Sequence, residues 1–347
     1  MISRFLVILA TGIFMAARLA FPAEPVPPPS PGQTFALLVG GMAGQEPYNQ
    51  WYNDWEDRFQ KYLVNTAGVP AANVTVLSGN KATAESIILA LEKLSRQVKP
   101  QDQFILFIVG HGELNSGNPT LMLPGPDLSV DKLSAALDSI PSKDQVILNL
   151  SASSGDFLKH IVSPVRVNIT ATSPTELNEP VFAEFFLRGL ESKRANPDKN
   201  GGDINLLQAY NWAAQQTALW IVRWQQTGPD KITDSSDPTT WKANGKETIE
   251  IFEKLYAKVP TRKLDPSSNR NAEDAALELV PPNGDVTGDW AGRRVVDEHA
   301  LLEDCGQEIG VSMITDKGFQ PILGAKPGDP GYAAGHTVLG KPAPLNQ

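Results

Sequence analysis

The sequence predicts an α/β fold: a mostly parallel sheet with helices on both faces, three layers in all. Three observations carry that prediction. Short runs such as Phe35–Val39, Phe104–Val109 and Val146–Leu150 are continuously apolar, as strands buried on both faces are. Longer stretches between them repeat apolar residues at helical spacing. The chain has 347 residues and is 41% hydrophobic, enough for a sizeable core.

The elements follow in order from about Thr34. Phe35–Val39 is a strand closed by Gly40-Gly41, and Tyr48–Thr66 places Trp51, Trp55, Phe59, Tyr62 and Leu63 on one helical face. Asn73–Leu77 is β-branched and reads as a strand; Ala84–Val98 carries Ile87, Ile88, Leu91, Leu94 and Val98 at helical spacing. Phe104–Val109 is the strongest strand, Leu128–Leu137 a helix, and Val146–Leu150 and Val165–Thr170 two further strands. Val181–Leu190 and Leu206–Gln226 read as helices, and Trp212, Trp220 and Trp224 of the second fit a core-facing stripe. After Gly228 the pattern weakens, and the sequence from Lys326 reads as a tail.

The ends of the chain have other duties. Residues 1–23 resemble a secretory signal, with Arg4 ahead of an apolar run of about a dozen residues. That run is short of the roughly 20 residues of a spanning helix, so no stable membrane span is expected. Residues 24–33 form a proline-rich linker. The expected layout is therefore signal 1–23, linker 24–33, an α/β domain over 34–226, and a loop-rich C-terminal extension over 227–347 of an exported protein. A net charge of -9 argues against nucleic acid as a partner. A single cysteine, Cys305, excludes an internal disulfide and any zinc site built on several thiolates; it reads as an incidental thiol.

In an open parallel sheet, ligands sit beyond the carboxyl ends of the strands. Three polar loops fall there: Gly110-His111-Gly112, Ser151-Ala152-Ser153-Ser154-Gly155, and Ala171–Glu176. Glycines on both sides of His111 let a ligand approach the backbone and leave the imidazole accessible.

These loops resemble the legumain/caspase-type cysteine peptidases. In that clan a histidine follows one strand, and a cysteine follows the next in A-C-x-S-G or A-C-x-G. Thr170-Ala171-Thr172-Ser173-Pro174-Thr175-Glu176 is similar to the legumain stretch T-A-x-x-P-x-E, which lines the substrate side-chain pocket. The resemblance covers residues 34–226 and is nearest to bacterial exported legumain-like proteins, which also have a segment like Asp297–Asp304. It implies a caspase-like three-layer α/β/α sandwich, with His111 as base. The cleft residues would be Gly110, Gly112, Ser151, Ser154, Thr172, Ser173 and Glu176. A peptide or protein would be the ligand, and neither cofactor nor metal is called for.

The departure from the pattern is the nucleophile. Aligning Ser154-Gly155 with the S-G of A-C-x-S-G puts Ala152 at the nucleophile position; aligning with A-C-x-G puts Ser153 there. The first register keeps the strand length and is preferred. Under it the chain has no nucleophile, and removing a triad nucleophile costs on the order of 10^6-fold in kcat. Under the second, a serine would need His111 close by as base. Trp51 stands where legumains have an arginine in a Y-N-x-R context, and it reads as core.

Two further clusters are weaker candidates. Asn196, Asp198, Asn200 and Gly201 fit the opening of a calcium loop, but Leu207 stands where the bidentate glutamate belongs. Asp297, Glu298, His299, Glu303 and Asp304 read as a solvated helix end rather than a metal site. The sequence thus points to an exported peptidase homologue without activity that keeps its cleft for binding. The alternative is an active hydrolase with Ser153 as nucleophile and His111 as base.

Overall fold

The computed structural model describes residues 31–42, 46–115, 117–174, 176, 180–193, 195–196, 202–227, 298–315, 318–319 and 321–344. The expected signal, most of the proline-rich linker, the calcium-like stretch 197–201 and the expected loops of 228–297 lie outside the described residues.

The described residues from Gly32 onward are built around a six-stranded sheet. The strands are β1 (Thr34–Gly40), β2 (Val74–Ser78), β3 (Gln103–Val109), β7 (Asp144–Asn149), β8 (Arg166–Thr170) and β9 (Leu301–Glu303), in the order β2-β1-β3-β7-β8-β9. The first five are parallel, and β9 runs antiparallel to β8, with Thr170 opposite Leu301. The mostly parallel α/β class is therefore as expected.

Strand alternation builds two cores, one on each face. Ile105, Phe107 and Val109 of β3 join Trp51, Trp55 and Phe59 of α1 (Glu46–Lys61). Residues of α5 (Phe182–Ser192) and α6 (Leu206–Thr227) complete that layer. Phe104, Leu106 and Ile108 point the other way. They pack on Ile87, Leu91 and Leu94 of α2 (Ala84–Gln97), Leu133 and Leu137 of α3 (Val130–Asp138), and Phe157 and Ile161 of α4 (Ser154–Ile161). Helix α2 begins where predicted because Thr83 caps it, its Oγ1 accepting from Ser86 N–H at 3.1 Å. Trp51 is buried core, as its helical spacing suggested.

Helix α1 is tied to α5 by charge as well as packing. Glu184 lies buried between Arg58 and Arg188, and accepts from Trp55 Nε1–H at 2.7 Å and from Arg58 at 2.7 Å. Burial acts to raise its carboxyl, but the two arginines and the indole outweigh it and hold it below the usual range.

Three parts differ from the sequence reading. A small antiparallel sheet of β4 (Gly112–Asn115), β5 (Asn118–Leu121) and β6 (Leu128–Ser129) follows β3, so the expected helix begins at Val130 rather than Leu128. The stretch from Lys326 is not a free tail. Helix α7 (Tyr332–His336) begins on Asp304, which accepts from Gly331 N–H and Ala334 N–H at 2.8 and 2.9 Å. Beyond it Gly340 N–H and Val338 O both bond the Gln103 side chain, and Ala343 N–H donates to Asp144 at 2.9 Å. A two-residue pair, β10 (Ile314–Thr315) with β11 (Gly318–Phe319), completes the strands. Among the described residues no helix is long and apolar enough to cross a membrane.

The Glu184 network makes the first prediction. Glu184→Ala removes the acceptor of the Trp55 indole N–H and one carboxylate partner of Arg58, which keeps Glu191 and Asp54, and is expected to cost about 1–3 kcal/mol in urea unfolding at pH 7. A carboxyl held low in the folded state stabilises above its unfolded pKa. The gap between wild type and variant should therefore narrow as pH falls below about 4.

Candidate functional site

The order β2-β1-β3 places the reversal of strand order between β1 and β3, so the expected ligand rim runs along the carboxyl ends of β1, β3, β7 and β8. Because β9 is antiparallel, residues 298–300 arrive at this same rim. All three predicted loops therefore share one edge of the sheet, joined by a segment the sequence reading placed elsewhere.

The His111 loop is held by its backbone. His111 N–H donates to Met42 O at 2.8 Å, and Met122 N–H donates to His111 O at 2.9 Å. The imidazole is half-buried. The glycines answer to their neighbours: a Cβ on Gly110 would stand 2.9 Å from Gly41 Cα, and one on Gly112 would stand 2.3 Å from Ala152 O. Ala152 N–H also donates to Gly110 O at 3.1 Å. The loops carrying His111 and Ser151–Ser153 are therefore in direct contact at the ends of adjacent strands.

The serine-rich turn joins β7 to α4. Its hydroxyls are not equivalent. Ser151 Oγ donates to Asn149 Oδ1 at 2.7 Å. Ser154 Oγ accepts from Ala171 N–H at 3.0 Å and Thr172 N–H at 3.2 Å, while Gly155 N–H donates to Thr172 Oγ1 at 3.1 Å. A Cβ on Gly155 would meet Ser173 C at 2.2 Å, so the start of α4 packs directly on the β8 loop. Ser153 is the exception. It is 1% exposed, its backbone is left-handed (φ 54°, ψ 20°), and its Oγ makes no hydrogen bond. Ala152 is fully buried.

On the other flank, Glu176 closes the loop after β8. Its Oε2 accepts from Ser173 N–H at 2.7 Å and from His299 N–H at 2.9 Å, and its Oε1 pairs with His299 Nδ1. A carboxylate can only accept, so His299 Nδ1 carries the hydrogen. Glu298 accepts from Val181 N–H at 3.0 Å and Phe182 N–H at 2.6 Å, capping α5. Burial pushes its carboxyl up to about 8; the two backbone donors oppose this, and the neighbouring Glu176 adds to it.

The acidic segment is therefore not a solvated helix end. Glu298, Glu303 and Asp304 are buried, and each is consumed as a hydrogen-bond acceptor: Glu303 takes Asn168 Nδ2–H at 3.0 Å. Asp297 lies outside the described residues. The pairing of His299 with Glu176 was missed, and only the recurrence of acids around a scarce histidine hinted at it. Among the described residues, no group of three or more His, Cys, Asp or Glu could hold a metal ion. Cys305 is half-buried, and its thiol is pushed up to about 11, first by burial and then by Asp304 and Glu303.

Solved structures resemble this fold at a distance. Protein GSU0716 from Geobacter sulfurreducens superposes with a TM-score of 0.40 at 14% identity, over 53% of this chain and 89% of that one. Caspase-1 from Spodoptera frugiperda gives 0.37 at 15% identity, over 54% of this chain and 77% of that one. No family model and no curated protein matches the chain.

The unequal use of the hydroxyls gives the second prediction. Ser154→Ala strands two buried backbone N–H groups and is expected to cost about 2 kcal/mol or more. Ser153→Ala removes an unpaired hydroxyl and is expected to change stability by less than about 1 kcal/mol. Chemical denaturation of the two variants side by side checks the contrast.

Proposed function

We propose that the protein is a non-catalytic relative of the legumain/caspase-type peptidases that binds peptide segments along the carboxyl rim of its sheet. One observation carries this reading: neither candidate nucleophile position offers a working nucleophile. Ala152 has none, and Ser153 Oγ is enclosed and makes no hydrogen bond, to His111 or to any other group. A serine needs a base in hydrogen-bond contact to attack a carbonyl. The other two hydroxyls of the turn are spent on Asn149 and on the end of β8. What remains is a rim of polar loops around His111, Ser173 and Glu176, which we read as the place for an extended chain; Thr172, expected in the cleft, is fully buried and bonded to Gly155 and Ser154. Export belongs to the same proposal and rests on the leader-like residues 1–23 alone.

A second reading has an observation of its own. A left-handed, non-glycine residue with an unpaired buried hydroxyl is costly, and such strain gathers at functional sites. Ser153, at the strand-to-helix turn beside the His111 loop, is such a residue. On this reading Ser153 attacks a peptide carbonyl after a local rearrangement brings His111 to it.

Activity separates the two. Over a panel of Arg-, Lys-, Asn- and Asp-containing peptides, the wild-type chain is expected to cleave none. Cleavage abolished by Ser153→Ala and by His111→Ala would establish the second reading instead. Cysteine variants locate the degenerate site. Whichever of Ala152→Cys and Ser153→Cys occupies the peptidase position should react with iodoacetamide about tenfold or more faster than Cys305, whose thiol is held protonated. That advantage should vanish on adding His111→Ala. If neither introduced thiol outpaces Cys305, the rim is not a peptidase-type site.

A further inference from the structure

His299 reaches the rim just ahead of β9, and one carboxylate holds both its backbone and its ring. Glu176 Oε2 accepts from the backbone N–H of His299 at 2.9 Å and of Ser173 at 2.7 Å, while Oε1 takes the ring at Nδ1. The residues behind are anchored in turn. Tyr210 hydroxyl donates to Ala300 O at 2.7 Å, and Leu301 lies opposite Thr170 of β8. The ring therefore has a fixed place and a fixed tautomer. A carboxylate only accepts, so the hydrogen sits on Nδ1 and the neutral ring keeps its lone pair on Nε2. Among the described residues nothing bonds Nε2, and the side chain is 25% exposed. Unlike the unpaired Nε2 of His160, it is not enclosed.

We propose that His299 Nε2 is a specificity-determining acceptor for a basic side chain, Lys or Arg, of a peptide bound on the rim. The inference rests on the reading of the rim as a peptide site and names the residue class that the site selects. Two observations choose the ligand. The open atom of the ring offers one lone pair, so its partner must donate. Behind the ring stands a carboxylate that no Lys or Arg among the described residues pairs with. The cations of the core layers are spent elsewhere: Arg58 and Arg188 on Glu184, and Arg166 on Asp138. A neutral ring on that carboxylate leaves the pair with one negative charge. An ammonium or guanidinium donor gains from the charge, whereas an amide donor gains little. The neighbouring acids do not compete for the ligand, because Glu298 is taken by Val181 and Phe182 N–H and Glu303 by Asn168.

A histidine that only stapled residues 298–300 to the loop after β8 would behave differently. Its loss would lower stability and leave the choice between ligands unchanged. An acceptor gives selectivity, and selectivity is a difference between two ligands measured on one protein.

Fluorescence anisotropy of the full chain at pH 8, on the basic side of ordinary histidine titration, tests this. The probes are labelled pentapeptides Ala-Ala-X-Ala-Ala with X lysine, arginine, glutamate or norleucine, the last matching the lysine stem without its charge. The lysine and arginine peptides are expected to bind about tenfold or more tighter than the norleucine peptide. His299→Phe should bring those three within about twofold of one another, and His299→Gln, whose side-chain carbonyl can accept, should restore part of the preference. A second readout needs no variant stable enough for binding. Long-range proton–nitrogen spectra of the wild-type imidazoles should show a ring with hydrogen on Nδ1 alone, whose Nε2 signal moves with the lysine peptide and not with the norleucine one. Equal binding of all four peptides, or a basic preference that survives His299→Phe, overturns the inference and leaves peptide binding standing. So does a preference for the glutamate peptide, because Nε2 would then be donating. Binding of none of the peptides overturns it together with the reading of the rim.

Discussion

The rim depends on one hydroxyl. Ser154 Oγ takes the backbone N–H groups of Ala171 and Thr172 and thereby welds the turn after β7 to the turn after β8. Parallel strands carry no local instruction for how the loops at their ends should meet, because each is followed by its own crossover helix. Here a side chain supplies that instruction. Gly155 lets the start of α4 seat against Ser173, and Gly112 lets the His111 loop seat against Ala152. Three loops become one continuous rim. The same contacts that assemble the rim use up the hydroxyls that would otherwise be candidates for chemistry, and they bury the one left over.

The economy of the site follows from that constraint. Around a peptidase nucleophile the surrounding groups are arranged to leave one oxygen or sulfur reachable and paired with a base. Around this turn they are arranged to enclose it. A carboxylate holds the imidazole of His299, which reaches the rim from the antiparallel edge. Its partner Glu176 has both oxygens engaged, so it is not a free acid.

Much of the sheet was legible in the sequence because burial on both faces writes itself as an unbroken apolar run. Phe104–Val109 admits few other readings, and the helices between strands declare themselves through apolar spacing. The small sheet of β4–β6 was not legible: Gly112–Asn115 and Asn118–Leu121 are four residues each, polar, and one contains a proline. Leu301–Glu303 was hidden for a different reason. Three residues are too few to show a period, and its acidic flanks imitate an exposed helix end. Glu298 and Glu303 are buried where they serve as acceptors for Val181, Phe182 and Asn168, all more than a hundred residues away. Sequence placed the serine-rich turn correctly at the end of a strand beside a histidine, yet it could not say which hydroxyl was structural. That depends on the backbone of β8, which only the fold brings near.

The central claim is that the turn after β7 is a structural joint with no usable nucleophile. Intact-mass analysis of the wild-type chain after treatment with a fluorophosphonate tests it most directly, because the reagent reports an activated serine without any knowledge of substrate. The account predicts no adduct on Ser151, Ser153 or Ser154 under conditions that label an active serine hydrolase to completion. Stoichiometric labelling of Ser153 that disappears in His111→Ala would contradict it.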